Sequence, residues 1–113
     1  MPEPIFPVTE QNSLVVVTTP DEIDVSNAAI FREALLAAAA RGLPVVVVDM
    51  TSTEFCDSTG LSVLVRALRQ ARESGGQLRL VVCGPALKRI LAVTGVDGMF
   101  PVFASLDEAL QPT

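Results

Sequence analysis

The residues able to do chemistry in this chain fall in one short run, Cys56-Asp57-Ser58-Thr59, followed by Gly60. It offers a thiol, a carboxylate and two hydroxyls in succession. What such groups can do depends on what activates them, and the chain contains no histidine. Ser-His-Asp and Cys-His nucleophile activation, His-ligated zinc and a histidine phosphorelay are thereby excluded. Lys88 is the sole lysine that could serve Ser58 as a base, so an enzyme is not expected. Cys56 and Cys83 form no C-x-x-C and are expected to be reduced, Cys83 within the core. No G-x-G-x-x-G, no G-x-x-x-x-G-K and no metal-ligand spacing occurs, so neither cofactor nor metal is expected. What remains is a serine beside a carboxylate at the mouth of a helix. Asp57 or Ser58 could simply cap that helix by accepting its free first-turn N–H groups. Alternatively, Ser58 could be a modification site. A phosphate there would meet the positive end of the helix and also the repelling charge of Asp57. It would bring roughly two negative charges to a contact surface formed with a neutral hydroxyl. Residue types and spacing leave both uses open.

The elements that must position this run are legible around it. Val45 to Met50 reads as a central strand, because a continuous apolar run without alternation suits a strand covered on both faces. Asp49 sits near its carboxyl end, where functional loops gather in open α/β sheets. A helix then runs from about Ser58 to Ser74. Leu61, Leu64, Val65 and Leu68 form its apolar stripe, and Ser62, Arg66, Arg69 and Glu73 its wet one. Gly75-Gly76 ends it. Upstream, Ile5 to Thr9 is a short edge strand despite Pro4 and Pro7, and it can pair with Leu14 to Thr18 in a hairpin around Glu10-Gln11-Asn12. Ser26 or Asn27 can cap the first helix, whose inward positions are 30, 31, 34, 35 and 38. Leu36 falls off that face and marks a broad face or a contact patch. Gly42 and Pro44 end the helix. Downstream, Leu78 to Cys83 is a strand, and Gly84-Pro85 opens a third helix with Leu87, Ile90 and Leu91 inward. Val102-Phe103 is a last strand, and Ser105 to Glu108 has the spacing of a capping box. The order is β-β-α-β-α-β-α-β-α. It implies an α/β fold, with a mixed sheet of four or five strands, right-handed parallel crossovers and four helices.

Composition limits the partners. Half of the 113 residues are hydrophobic, enough for one core, so a single domain over 1-113 is expected, ordered from about residue 5 to about residue 110. The net charge of -5 argues against nucleic acid and against an anionic membrane surface. No run is long enough to span a bilayer, and the N-terminus lacks the features of a signal peptide. A cytoplasmic monomer is expected.

Several of these residues together resemble the anti-sigma factor antagonists, single STAS domains of bacteria. Asp21-Glu22-Ile23-Asp24 is similar to the family's Gly-Glu-Leu/Ile-Asp, and Asp57-Ser58-Thr59-Gly60-Leu61 to its Asp-Ser-Ser/Thr-Gly-Leu. Phe55, Gly75-Gly76, Val81-Val82-Cys83 and Pro85-Ala86-Leu87-Lys88-Arg89-Ile90-Leu91 follow in the family's order. Pro20-Asp21 departs from it where a glycine is usual. The resemblance implies the STAS fold and a switch. Such a protein, unphosphorylated, binds an anti-sigma factor that is a serine kinase, and so frees the sigma factor. Phosphorylation ends the complex and a phosphatase resets it. Carried onto this chain, the phosphoacceptor is Ser58, with Thr59 the minor alternative. Asp24 matches an acidic position near the site, and Gly60 and Leu61 let the helix start close to the strand. The partner surface implied comprises Asp24, Asp57, Ser58, Thr59, Gly60, Ser62 and Arg66, with Arg69 further along the same stripe. The resemblance also implies an alternative, a ligand-sensing or transport-accessory STAS module that binds a nucleotide or lipid.

Overall fold

The computed structural model describes residues 5–112. Pro4 therefore lies outside the described residues, as do the extreme ends of the domain expected over 1-113. Seven strands and four α-helices alternate: β1 (Val8–Gln11), β2 (Leu14–Thr18), β3 (Glu22–Ile23), α1 (Ala28–Ala39), β4 (Val45–Asp49), β5 (Phe55–Cys56), α2 (Ser58–Glu73), β6 (Gln77–Val81), α3 (Pro85–Thr94), β7 (Val102–Phe103) and α4 (Leu106–Ala109). Five strands form the main sheet in the order β1-β2-β4-β6-β7. β1 is antiparallel to β2 and the remaining pairs are parallel. The mixed five-stranded sheet and the four helices agree with expectation.

The valine-rich strands are buried on both sides because the pleat sends alternate side chains to opposite faces. Val46 and Val48 join Val15, Val17, Leu78 and Leu80 beneath α1, α2 and α3. Val47 joins Val16 and Val81 against Ala109 and Leu110 at the C-terminus. β4 lies at the centre of the sheet, so the loops leaving its carboxyl end rest on the most constrained part of the molecule.

Several local expectations are corrected. The first strand is Val8–Gln11 and not Ile5 to Thr9. Phe6 is instead drawn into the core, stacked on Phe31 at 4.9 Å. The hairpin turns at Asn12-Ser13, both with positive φ, the geometry that matches strand twist in a two-residue loop. In α1, Phe31, Leu35 and Ala38 are buried, but Ile30 is 44% exposed, so the inward face is narrower than its apolar residues suggest. Asn27 precedes α1 without capping it by its side chain. Its amide instead accepts from Asp24 N–H and donates to the Glu22 carbonyl, tying down the turn before the helix. Ser26 likewise serves that turn, donating from its N–H and its hydroxyl to Asp24 Oδ1. Cys83 is exposed and not in the core, because β6 ends at Val81 and the chain has left the sheet by residue 83.

Arg79 lies buried within the apolar β6 strand. Its guanidinium donates to the carbonyls of Ala109 and Gln111, each at 2.7 Å, and to Gln77 Oε1 at 2.8 Å, and it sits over the Phe103 ring. These bonds satisfy a buried charge and fasten α4 to the far face of the sheet.

Candidate functional site

The site is assembled where β5 runs into α2. β3 and β5 are only two residues each, and they pair in parallel with Ile23 opposite Cys56. Asp57 N–H continues the ladder by donating to the Ile23 carbonyl at 3.0 Å. Asp24 and Asp57 therefore follow neighbouring, hydrogen-bonded strand ends. A buried chain of hydroxyls braces the loops behind them. Thr19 Oγ1 bonds Thr53 Oγ1 and the Asp49 carbonyl, and Thr53 Oγ1 also donates to the Pro20 carbonyl.

Asp57 is the N-cap of α2. Its Oδ1 accepts from Thr59 N–H at 3.0 Å, from Gly60 N–H at 3.1 Å and from the Thr59 hydroxyl. The backbone N–H of Val25 lies near enough to the same carboxylate to favour its charged form. The Thr59 hydroxyl bond leads in holding the Asp57 carboxyl below its ordinary value of 3.8, and the Gly60, Thr59 and Val25 N–H groups act in the same direction, with desolvation opposing them.

Of the two possible caps, Asp57 takes the whole task. Ser58 is exposed, and its hydroxyl has no hydrogen-bond partner among the described residues. Its backbone carbonyl accepts from Ser62 Oγ one turn on, at 2.8 Å. Thr59 is also exposed, but its hydroxyl is engaged by Asp57.

Cys56 is buried behind this turn. Burial first, and the charge of Asp57 second, push its thiol up to about 12. It is therefore held as the unreactive thiol. Gly60 is buried as well. A Cβ there would stand 2.6 Å from Cys56 Sγ and 2.7 Å from Ile23 Cγ2. Gly60 thus brings the helix against β3 and β5 and offers no side chain to a partner.

Ser58, Ser62, Arg66 and Arg69 do share one face of α2. With Thr94 and Val96 they line a shallow groove of about 390 Å³ beside the end of α3. Asp24 lies by the helix mouth, where its Oδ1 accepts from Ser26 and orders the turn carrying Val25. Asp49 is not brought to the site. Its Oδ1 accepts from Thr51 N–H at 3.1 Å and from the Thr51 hydroxyl, closing its own turn. Two apolar neighbours escaped the sequence reading of the surface: Val25 is 77% exposed and Phe55 46% exposed. Their signal was an apolar residue placed next to each polar motif, which periodicity cannot distinguish from core.

The pH dependence follows from the cap. A carboxyl depressed on folding adds stability that is complete above its unfolded value of 3.8 and is lost as pH falls through its folded value. Asp57→Ala should melt below the parent at pH 7, and the gap should narrow as the pH falls below 3.8 and through the folded value. A gap unchanged across that range, measured by circular dichroism, would show that the charge of Asp57 contributes nothing.

The mixed sheet thus carries an exposed serine beside a capping aspartate at the mouth of α2. The model of the STAS domain matches residues 6–109, and the chain belongs to that family. The anti-sigma-F factor antagonist RsfB of Mycobacterium tuberculosis is 29% identical over 103 residues, 91% of this chain and 84% of that protein. The crystal structure of an anti-sigma factor antagonist from Mycobacterium paratuberculosis superposes with a TM-score of 0.84 at 32% identity, covering 93% of this chain and 89% of that one. The Bacillus cell fate determinant SpoIIAA in its phosphorylated form shares the fold, with a TM-score of 0.70 at 19% identity over 93% of this chain and 96% of that one.

Proposed function

We propose that this chain is an anti-sigma factor antagonist switched by phosphorylation of Ser58. Unphosphorylated, it binds an anti-sigma factor that is a serine kinase, and the sigma factor is released. The kinase transfers the γ-phosphoryl of ATP to Ser58 Oγ, ADP leaves and the hydroxyl proton is lost. The new charge ends the complex, and a phosphatase restores the hydroxyl by hydrolysis. The chain acts in the cytoplasm as a single-domain monomer, a regulator and not an enzyme.

One observation carries this reading. The Asp57 carboxylate accepts the Thr59 and Gly60 N–H groups, and the Ser58 side chain is left exposed and unengaged among the described residues. The hydroxyl of this serine makes no hydrogen bond within the fold among the described residues. The related antagonists support the partner class, and SpoIIAA, of the same fold, exists in unphosphorylated and phosphorylated forms. The contact surface comprises Asp24, Asp57, Ser58, Thr59, Ser62 and Arg66, with Gly60 setting the approach of the helix.

Phosphosite mapping tests it. The immobilised chain should capture a kinase from host extract. On addition of Mg-ATP it should acquire one phosphoryl group on Ser58, with none on the Ser58→Ala variant. Phosphate found on Thr59 or Ser62 with Ser58 unmodified would refute the assignment.

A further inference from the structure

The chain contains five phenylalanines. Phe6, Phe31 and Phe100 are buried, and Phe103 is half-buried beneath Arg79. Phe55 alone is exposed. The pleat explains its direction but not its type. Ile23 and Cys56 are the inward pair of the β3–β5 ladder, so Glu22 and Phe55 are the outward one. Val25, the most exposed apolar residue near the site, stands just past the end of β3. Its turn is braced, since Asp24 Oδ1 accepts from Ser26 and the Asn27 amide holds both Asp24 N–H and the Glu22 carbonyl. A lone exposed apolar residue is ordinary. These two, however, stand on adjoining strand ends, the ones that lead into Asp24 and into Asp57-Ser58. Beside them Asp21, Glu22 and Glu54 are exposed and have no ion-pair partner among the described residues. Neither segment 20–31 nor segment 42–65 contains a Lys or Arg.

We infer that Val25 and Phe55 are the apolar anchors by which this chain docks on an anti-sigma factor, seated in an apolar pocket whose rim carries Lys or Arg. The inference rests on the partner class proposed above. Anchors on braced backbone shed apolar surface from water and lose little freedom on binding. Unpaired carboxylates around them select a basic counterpart and speed the encounter. Ser58 lines a different surface, the groove along α2 with Arg66 and Arg69, to which neither anchor contributes. The anchors therefore supply affinity, and the serine supplies the switch.

Surface plasmon resonance of the captured anti-sigma factor against variants of the full chain tests it. Phe55→Ser should weaken binding at least about 30-fold and Val25→Ser at least about fivefold, with both melting within about 2 °C of the parent. Phe55→Leu, which keeps an apolar side chain, should stay within about fivefold of the parent. The Asp21→Asn/Glu22→Gln/Glu54→Gln variant should associate about tenfold more slowly at low salt, with a flatter salt dependence. Should Phe55→Ser fail to fold, Val25→Ser, at a site 77% exposed, decides. A folded serine variant that binds within about twofold of the parent, while Ser58→Asp is still weakened, would overturn the anchors and leave the Ser58 reading standing. Parent association that does not slow with added salt would refute the basic rim. A parent that binds no anti-sigma factor would sink both readings together.

Discussion

Gly60→Ala should lower the melting temperature by about 2–8 °C, and Gly60→Val should prevent stable folding at 37 °C. The new Cβ would lie 2.6 Å from Cys56 Sγ and 2.7 Å from Ile23 Cγ2, both inside van der Waals contact. Neither neighbour is the end of a long flexible side chain. Cys56 is 1% exposed and Ile23 is fully buried, and their strands are hydrogen-bonded to each other. Relief would therefore require α2 to lift away from β3 and β5. Overpacking of this kind costs about 1–3 kcal/mol. Alanine recovers up to about 1 kcal/mol of helix propensity over glycine, so the net loss is smaller than the steric one. Valine recovers only a few tenths of a kcal/mol over glycine and adds two methyl groups to the same crowded space. Cys56→Ala removes the closer contact and should reduce the cost of Gly60→Ala by at least about 0.5 kcal/mol in a double-mutant cycle. Equal costs in both backgrounds would place the strain on Ile23 alone. A Gly60→Ala protein that melts at or above the parent would sink the packing account.

The large features of this fold were legible because each is repeated many times in the sequence. Runs of valine mark strands buried on both faces, and the i, i+3, i+4, i+7 leucines of α2 mark its seated side. The end signals, Gly75-Gly76, Pro85 and Gly95, mark real helix boundaries. The features that were not legible depend on partners far along the chain. β3 and β5 have two residues each, too few for any periodicity, and each exists as a strand only because of the other. Arg79 sits in an apolar strand, and its acceptors are mostly backbone carbonyls of the C-terminal segment, which leave no mark in side-chain pattern. The split between Asp57 and Ser58 was likewise invisible. Both residue types cap helices well, and only the extended backbone of Asp57, with φ of -83° and ψ of -177°, assigns it the cap. That assignment is what separates a structural serine from an available one.

If Ser58 is the switch, Ser58→Asp should bind the captured anti-sigma factor about 30- to 1,000-fold more weakly than the parent, whereas Ser58→Ala should bind within a few-fold of it. The asymmetry follows from the geometry of the turn. Removing the Ser58 hydroxyl removes no hydrogen bond within the fold among the described residues, so stability should change by less than about 0.5 kcal/mol. A carboxylate at this first-turn position is favoured by the helix end but repelled by Asp57 beside it, so Ser58→Asp should also fold normally. Any loss of binding by the folded variant then belongs to the interface. There the new charge must be stripped of water against a surface that met a neutral hydroxyl, with the Asp57 charge already adjacent. Ser58→Asn separates charge from bulk, since asparagine has nearly the same size as aspartate and no charge. It should bind within about tenfold of the parent and well above Ser58→Asp. Raising the salt concentration should recover part of the binding lost by Ser58→Asp and little of that lost by Ser58→Asn. If Ser58→Asn binds as poorly as Ser58→Asp, the site discriminates by shape, and phosphorylation would act by obstruction and not by charge. If both bind as well as the parent, Ser58 lies outside the interface.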